Sequence, residues 1–209
     1  MSVSIRTAAA DPVTPRQWVR RGELLEAARR VFERDGYHAA TVSAIVQAAG
    51  LSQGAFYLYF PDKKAVFEAL QAEMATLLRR RIYWATRDER DPRVRLEAGL
   101  RSYFEFYAEY RAWNRRLTTE GLGIDAGFEA RHAALNSTLV DAFEPTFTEL
   151  GVTEPALAGF SLIGMASQVA YAQPFTLASL APAALARACA RLFLDGAAAN
   201  LTTKGDPHA

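Results

Sequence analysis

The sequence predicts an all-α protein: a three-helix N-terminal head, joined by a long fourth helix to a C-terminal helical body. Three observations predict it. Apolar residues recur at helical spacing along nearly the whole chain, with no convincing two-residue strand period. Residues 41–60 read as two short helices joined by a glycine turn. From Lys63 an unusually long helical pattern runs unbroken towards Trp84. With 209 residues, half of them hydrophobic and 22% charged, the chain can bury a sizeable core and is globular rather than disordered.

Residues 1–15 are small, polar and Pro-bearing, and read as a disordered arm. The first helix is expected from Arg16 to Asp35, with Leu24, Leu25, Ala28, Val31 and Phe32 as its apolar stripe and Gly36 as its end. Thr41 can N-cap a second helix, because its hydroxyl satisfies N–H groups that lack an intrahelical partner. Val42, Ile45, Val46 and Ala49 form that helix's apolar face. Gly50 then supplies the left-handed residue that ends it. Leu51 can plug the angle, and Ser52 can cap a third helix, Gln53–Tyr59. Phe56 and Phe60 share one face of it, four residues apart. Pro61 stops it, Asp62 caps the next helix and Lys63 opens it.

The third helix is poorly chosen for stability alone. Gly54 costs about 1 kcal/mol relative to Ala, and Gln53, Tyr57 and Tyr59 decorate its other face. That makes sense if a backbone must approach a ligand closely. A second helix after such a turn is placed to enter the DNA major groove. There Gln53 at its start can pair bidentately with adenine, Gly54 and Ala55 permit close approach, and the Ala55 methyl can meet a thymine methyl.

Beyond the long helix, Asp88 to Pro92 break the pattern. Helices follow at about 93–110, 113–119 and 128–150, with Gly121, Gly123 and Gly127 marking a loop. Pro145 predicts a kink or an early stop in the last of these. Between Pro155 and Ala186 there is no charge at all. Ser161, Ser167, Gln168, Gln173 and Pro174 interrupt that run, so it reads as parts of two buried helices, about 154–173 and 182–200, rather than a membrane span. A second subunit is the natural cover for them.

Residues 41–63 resemble the DNA-binding motif of TetR-family (tetracycline-repressor-like) transcriptional regulators. The Gly50-Leu51-Ser52 turn, the Phe56-Tyr57-Leu58-Tyr59-Phe60 run and the Asp62-Lys63 helix start carry the resemblance. It is motif-deep over about residues 16–70; beyond that only helix order and lengths match. The resemblance implies a helix-turn-helix head over residues 16–62 and an effector-binding and dimerisation domain over 63–209. It implies phosphate contacts from Tyr57, Tyr59 and Lys63, and places Thr41 and Ser43 near backbone or base edges, with Ser52 at the head of the reading helix. The partners it implies are a pseudo-palindromic double-stranded operator, a small effector and a second copy of the chain docked through the last two long helices. Gly159 and Gly164 would let those helices approach closely. A repressor in the cytoplasm, with no membrane partner, is the implied reading.

For the effector, Trp84, Tyr103, Tyr107, Trp113, Met165, Gln168 and Tyr171 are the candidate pocket residues, aromatic or adaptable with one amide. The lack of charge there suggests a neutral or apolar ligand. No cofactor is expected. The net charge of +1 is uneven: residues 1–64 carry nine Lys/Arg against six Asp/Glu, a modestly basic head. The single Cys189 fits a reducing compartment, and the N-terminus lacks the apolar stretch of an export signal. Glu129 and His132 form half of a di-iron motif with no second half, so no metal is expected. No nucleophile elbow, zinc cluster or phosphate loop occurs, so the rival is an all-helical small-molecule-binding protein or enzyme that uses the C-terminal cavity.

Overall fold

In the computed structural model, residues 14–120, 126–173, 175–177 and 179–199 are described. The expected arm lies outside them except for Thr14 and Pro15, as do Gly121 and Gly123. Among the described residues the chain forms nine helices and no strand. They are α1 (Pro15–Ala39), α2 (Val42–Ala49), α3 (Gln53–Tyr57), α4 (Lys63–Thr86), α5 (Pro92–Glu109), α6 (Arg111–Glu120), α7 (Ala126–Glu149), α8 (Pro155–Ala172) and α9 (Pro182–Ala199).

They fall into two compact units. The first comprises residues 1–74 and 112–128; the second comprises 75–111 and 129–209. So α4 begins in the first unit and ends in the second, and most of α6 belongs with the N-terminal residues.

The first unit is built on local signals that the helices obey. Thr14 opens α1 with a capping box: its hydroxyl accepts from the Gln17 N–H while Gln17 bonds back to the Thr14 N–H. Thr41 and Ser52 cap α2 and α3 by accepting from Ala44 and Ala55. Gly50 sits at φ 65°, ψ 31°, and Leu51 and Gly50 donate to the Val46 and Gln47 carbonyls, the Schellman arrangement that closes a helix. The core is Leu24, Leu25, Val31, Phe32, Ile45, Phe56, Phe60 and Phe67. Aromatic edges lock it: Phe32 meets Phe67 at 5.0 Å, and Phe67 meets Trp113 of α6 at 5.2 Å between ring centroids.

Gly36 does not end α1 as expected but bends it. At φ 79°, ψ 169° it takes a backbone conformation open almost only to glycine, and three further residues continue the helix beyond it. The bend is held from α6. The Tyr37 N–H donates to Glu120 Oε2 at 2.7 Å, and Arg116 donates to Glu120 Oε1 at 2.6 Å and to the Arg34 carbonyl at 3.1 Å.

In the second unit, α5 is the central helix. It buries Leu96, Leu100, Tyr103, Phe104 and Phe106. An α7 side chain, Phe143, lies 2.7 Å from where a Cβ on Gly99 would stand, so only glycine lets α5 and α7 come this close. Gly159 plays the same part on α8, with Val140 at 2.7 Å. That corrects one expectation: Gly159 is buried against α7 of its own chain, whereas Gly164 has open space around it. Two others change. Pro145 lies inside α7 without ending it, at the cost of one main-chain hydrogen bond, and Gly127 belongs to α7 rather than to a loop. No helix of the described residues is long and apolar enough to cross a membrane.

Candidate nucleic-acid interface

Helix α3 is anchored through one side and bare on the other. Phe56 and Phe60 are fully buried, and the Phe60 N–H closes the helix end onto the Phe56 carbonyl. Opposite them, Ser52, Gln53, Gly54 and Tyr57 are exposed, Tyr57 at 56%, and Ala55 and Tyr59 are half-buried. Thr41 and Ser43, at the start of α2, are exposed as well. The structure thus gathers eight of the nine residues singled out in the head on or beside two capped helix starts.

Gly54 is the most informative of them. A Cβ built there would meet only Ser52 Oγ, at 3.9 Å. Nothing inside the head requires a glycine, and helix propensity argues against one. The open space leaves room for a body that approaches from outside. Gly54→Ala is therefore expected to raise head stability by about 0.5–1 kcal/mol while weakening DNA binding. Urea denaturation and duplex titration of the same preparation check both halves.

Lys63 is used differently from the phosphate contact that the resemblance implies. Its ammonium donates to the carbonyls of Tyr37 (2.6 Å), His38 (3.2 Å) and Ala40 (2.9 Å), and stands 4.5 Å from the Tyr37 ring centroid. An ammonium has three N–H groups, and all three are taken. Burial pulls its pKa below the usual lysine value. The awkward cation at a helix N-terminus is thus compensated by the main chain at the end of α1.

In the second unit the structure brings together only part of the effector set. Tyr103 and Tyr107 stack at 4.5 Å, and the Tyr103 hydroxyl shares a 2.9 Å hydrogen bond with Ser167 Oγ. Burial raises both phenol pKa values. Tyr107 borders a gap of only about 10 Å³, with Phe104, Ala170, Gln173 and Leu185. Trp84 lies instead on a surface groove between α4 and α5, its ring covered by the Arg87 guanidinium at 3.9 Å. Met165 lines a groove of about 500 Å³ along α8 and α9, beside Leu157, Ser161 and Leu192. Gln168 and Tyr171 are exposed on α8.

Trp113 belongs to the first unit, packed on Phe67. An aromatic side chain reads alike in a pocket and in a core, and Trp113 serves the core of the first unit. Sequence reasoning also missed Arg116 and Glu120, whose partners lie more than 80 residues away. The side chains of Glu129 and His132 lie outside the described ones. Among the described residues no cluster of metal-ligating groups occurs.

Residues 24–70 match the family described as bacterial regulatory proteins, tetR family. The HTH-type transcriptional activator FasR of Mycolicibacterium smegmatis is 37% identical over 87 residues, 42% of this chain and 40% of that protein. The HTH-type transcriptional repressor Rv1474c of Mycobacterium tuberculosis is 48% identical over 54 residues, 26% of this chain and 29% of that one. The matches therefore span less than half the length of these relatives. In fold the likeness is broader. The transcriptional regulator FadR from Bacillus subtilis, solved in complex with stearoyl-CoA, superposes with a TM-score of 0.73 over 84% of this chain and 98% of its own, at 18% identity.

Proposed function

We propose, since this chain belongs to the tetR family of bacterial regulatory proteins, that it is a DNA-binding transcriptional regulator acting as a repressor at a pseudo-palindromic operator. The observation that carries this is the bare face of α3: a glycine that the head does not need, flanked by an exposed amide and an exposed phenol. Gln53 reads a base edge, Gly54 and Ala55 admit the major-groove floor, and Tyr57, Tyr59, Thr41, Ser43 and the cap Ser52 position the helix on phosphates. Lys63 contributes indirectly, by fixing the segment that leads into α2.

Selection of duplexes from a random pool by the purified protein tests the proposal. Tyr57→Phe should then weaken binding similarly on all recovered sequences. Gln53→Ala should cost about 1–3 kcal/mol at one base position in each half-site and relax preference there. Identical behaviour of the two variants on every operator variant would count against these roles.

Dimerisation through α8 and α9 belongs to the same proposal. Leu157 and Leu192 are 64% and 71% exposed, Phe160 and Tyr171 about half, and all four stand on those two helices. A second copy of the chain covers them and gives two reading heads for one palindrome. The effector is a largely apolar molecule with a polar handle, of the acyl-thioester class that the B. subtilis relative binds. Tyr103, Tyr107 and Ser167 supply phenol and hydroxyl groups within an otherwise apolar packing. Tyr107 opens onto a gap that must widen to admit a ligand. An effector that favours the state unable to bind DNA by about 1–3 kcal/mol changes operator affinity 5–150-fold.

A further inference from the structure

Operator affinity in such a head comes mainly from cations set against phosphates. The described cations of the first unit are mostly spent. Arg20 is paired with Glu23, Arg29 with Glu26 and Glu33, Arg30 with Glu26, Arg34 with Asp35, Lys64 with Glu68 and Arg116 with Glu120. Lys63 has given its three N–H groups to carbonyls. Arg21 stands beside four acid-paired arginines of its own helix and, among the described residues, pairs with no carboxylate. It is also held in place. Its guanidinium carbon lies 5.4 Å from the centroid of Phe60, the buried ring just beyond the end of α3. Arg16 also pairs with no carboxylate among the described residues, but it is exposed in the first turn of α1 and no described residue positions it.

We propose that Arg21 is a phosphate-binding residue of the DNA interface, a cation that no described carboxylate pairs and that Phe60 holds beside the reading helix. This rests on the DNA-binding reading above and adds to it a contact from α1, outside the helix-turn-helix. The role is sequence-independent: a planar guanidinium grips a phosphate of any nucleotide. The intermediate exposure of Arg21 fits this use, since its stem packs on the head and its fork stays accessible.

The test uses the full-length protein and two probes, a duplex recovered from a random pool by the wild type and an unselected mixed-sequence duplex. Affinity is followed by fluorescence anisotropy from about 50 to 200 mM salt. Arg21→Met keeps an apolar cover on Phe60 without the charge, Arg21→Lys keeps a charge, and Arg20→Met is the ion-paired neighbour. Arg21→Met should lower affinity on both probes alike, by roughly tenfold, and reduce the slope of log K against log salt by about 0.9 per head. Arg21→Lys should restore most of the slope, and Arg20→Met should leave it unchanged. A wild-type slope in Arg21→Met, with a lowered melting temperature, overturns the proposal and leaves Arg21 a packing residue of Phe60. Failure of the wild type to bind either probe overturns the DNA-binding reading as well.

Discussion

Gly36→Ala should destabilise the first unit by about 3 kcal/mol or more, the largest effect expected of any single small substitution in the chain. Two costs combine. At φ 79°, ψ 169° an alanine is strained whatever space surrounds it. Its methyl would also stand 2.6 Å from both Glu120 carboxylate oxygens. Those oxygens cannot simply retreat, because they hold the Tyr37 N–H and the Arg116 guanidinium. The measurement is a melt followed through Trp113, buried beside Phe67, with the exposed Trp18 and Trp84 replaced by Phe. The midpoint should fall by roughly 6–12 °C at about 2–4 °C per kcal/mol. Because Glu120→Ala alone also loses the Tyr37 and Arg116 hydrogen bonds, the comparison is made on that background: there Gly36→Ala should cost less than in the wild type, the steric part being gone and the backbone strain left. An unchanged midpoint in Gly36→Ala would show that α1 does not need its bend.

Lys63→Met should destabilise the same unit by about 2–3 kcal/mol, since one charged donor leaves three carbonyls at once. Methionine keeps the length and apolar stem and removes only the ammonium. The segment concerned leads directly into Thr41 and α2, so DNA affinity should fall with it. It should fall through the population of correctly folded heads, with the salt slope unchanged in conditions where the head is folded. A phosphate contact makes the opposite forecast: native stability, and a slope smaller by about 0.9 per head. The denaturation curve and the salt titration together separate the two uses of this lysine.

What could be read from the chain alone follows from how far each signal reaches. Gly50, Ser52, Phe56, Phe60 and Pro61 act within four residues of themselves, and the turn, the cap and the anchored face they specify are those observed. The same holds for the exposed Gln53, Gly54 and Tyr57. The carbonyl partners of Lys63 are not legible in the sequence, because they lie 23 to 26 residues back, at the end of another helix. The place of Trp113 is not legible in the sequence, because α6 joins the first unit from beyond α4 and α5, and no local pattern marks a helix for one core rather than another. In sequence Arg21 is indistinguishable from the other arginines of α1; only the ion pairs of its neighbours set it apart. For Gly159, likewise, no local pattern tells a contact with a partner subunit from the contact it makes with Val140 of its own chain.

The first unit is assembled from two pieces of chain, and the ribosome delivers them in order. Residues up to Met74 emerge without Trp113 to cover Phe67, and without Arg116 and Glu120 to hold the bend at Gly36. Residues 75–111 must be made before that second piece arrives, a delay of roughly two to seven seconds at about 5–20 residues per second. During that interval the nascent head lacks its last packing partner. Its final closure is timed by synthesis of α5, the helix at the centre of the other unit, so the first unit is never finished before the second has begun to be made.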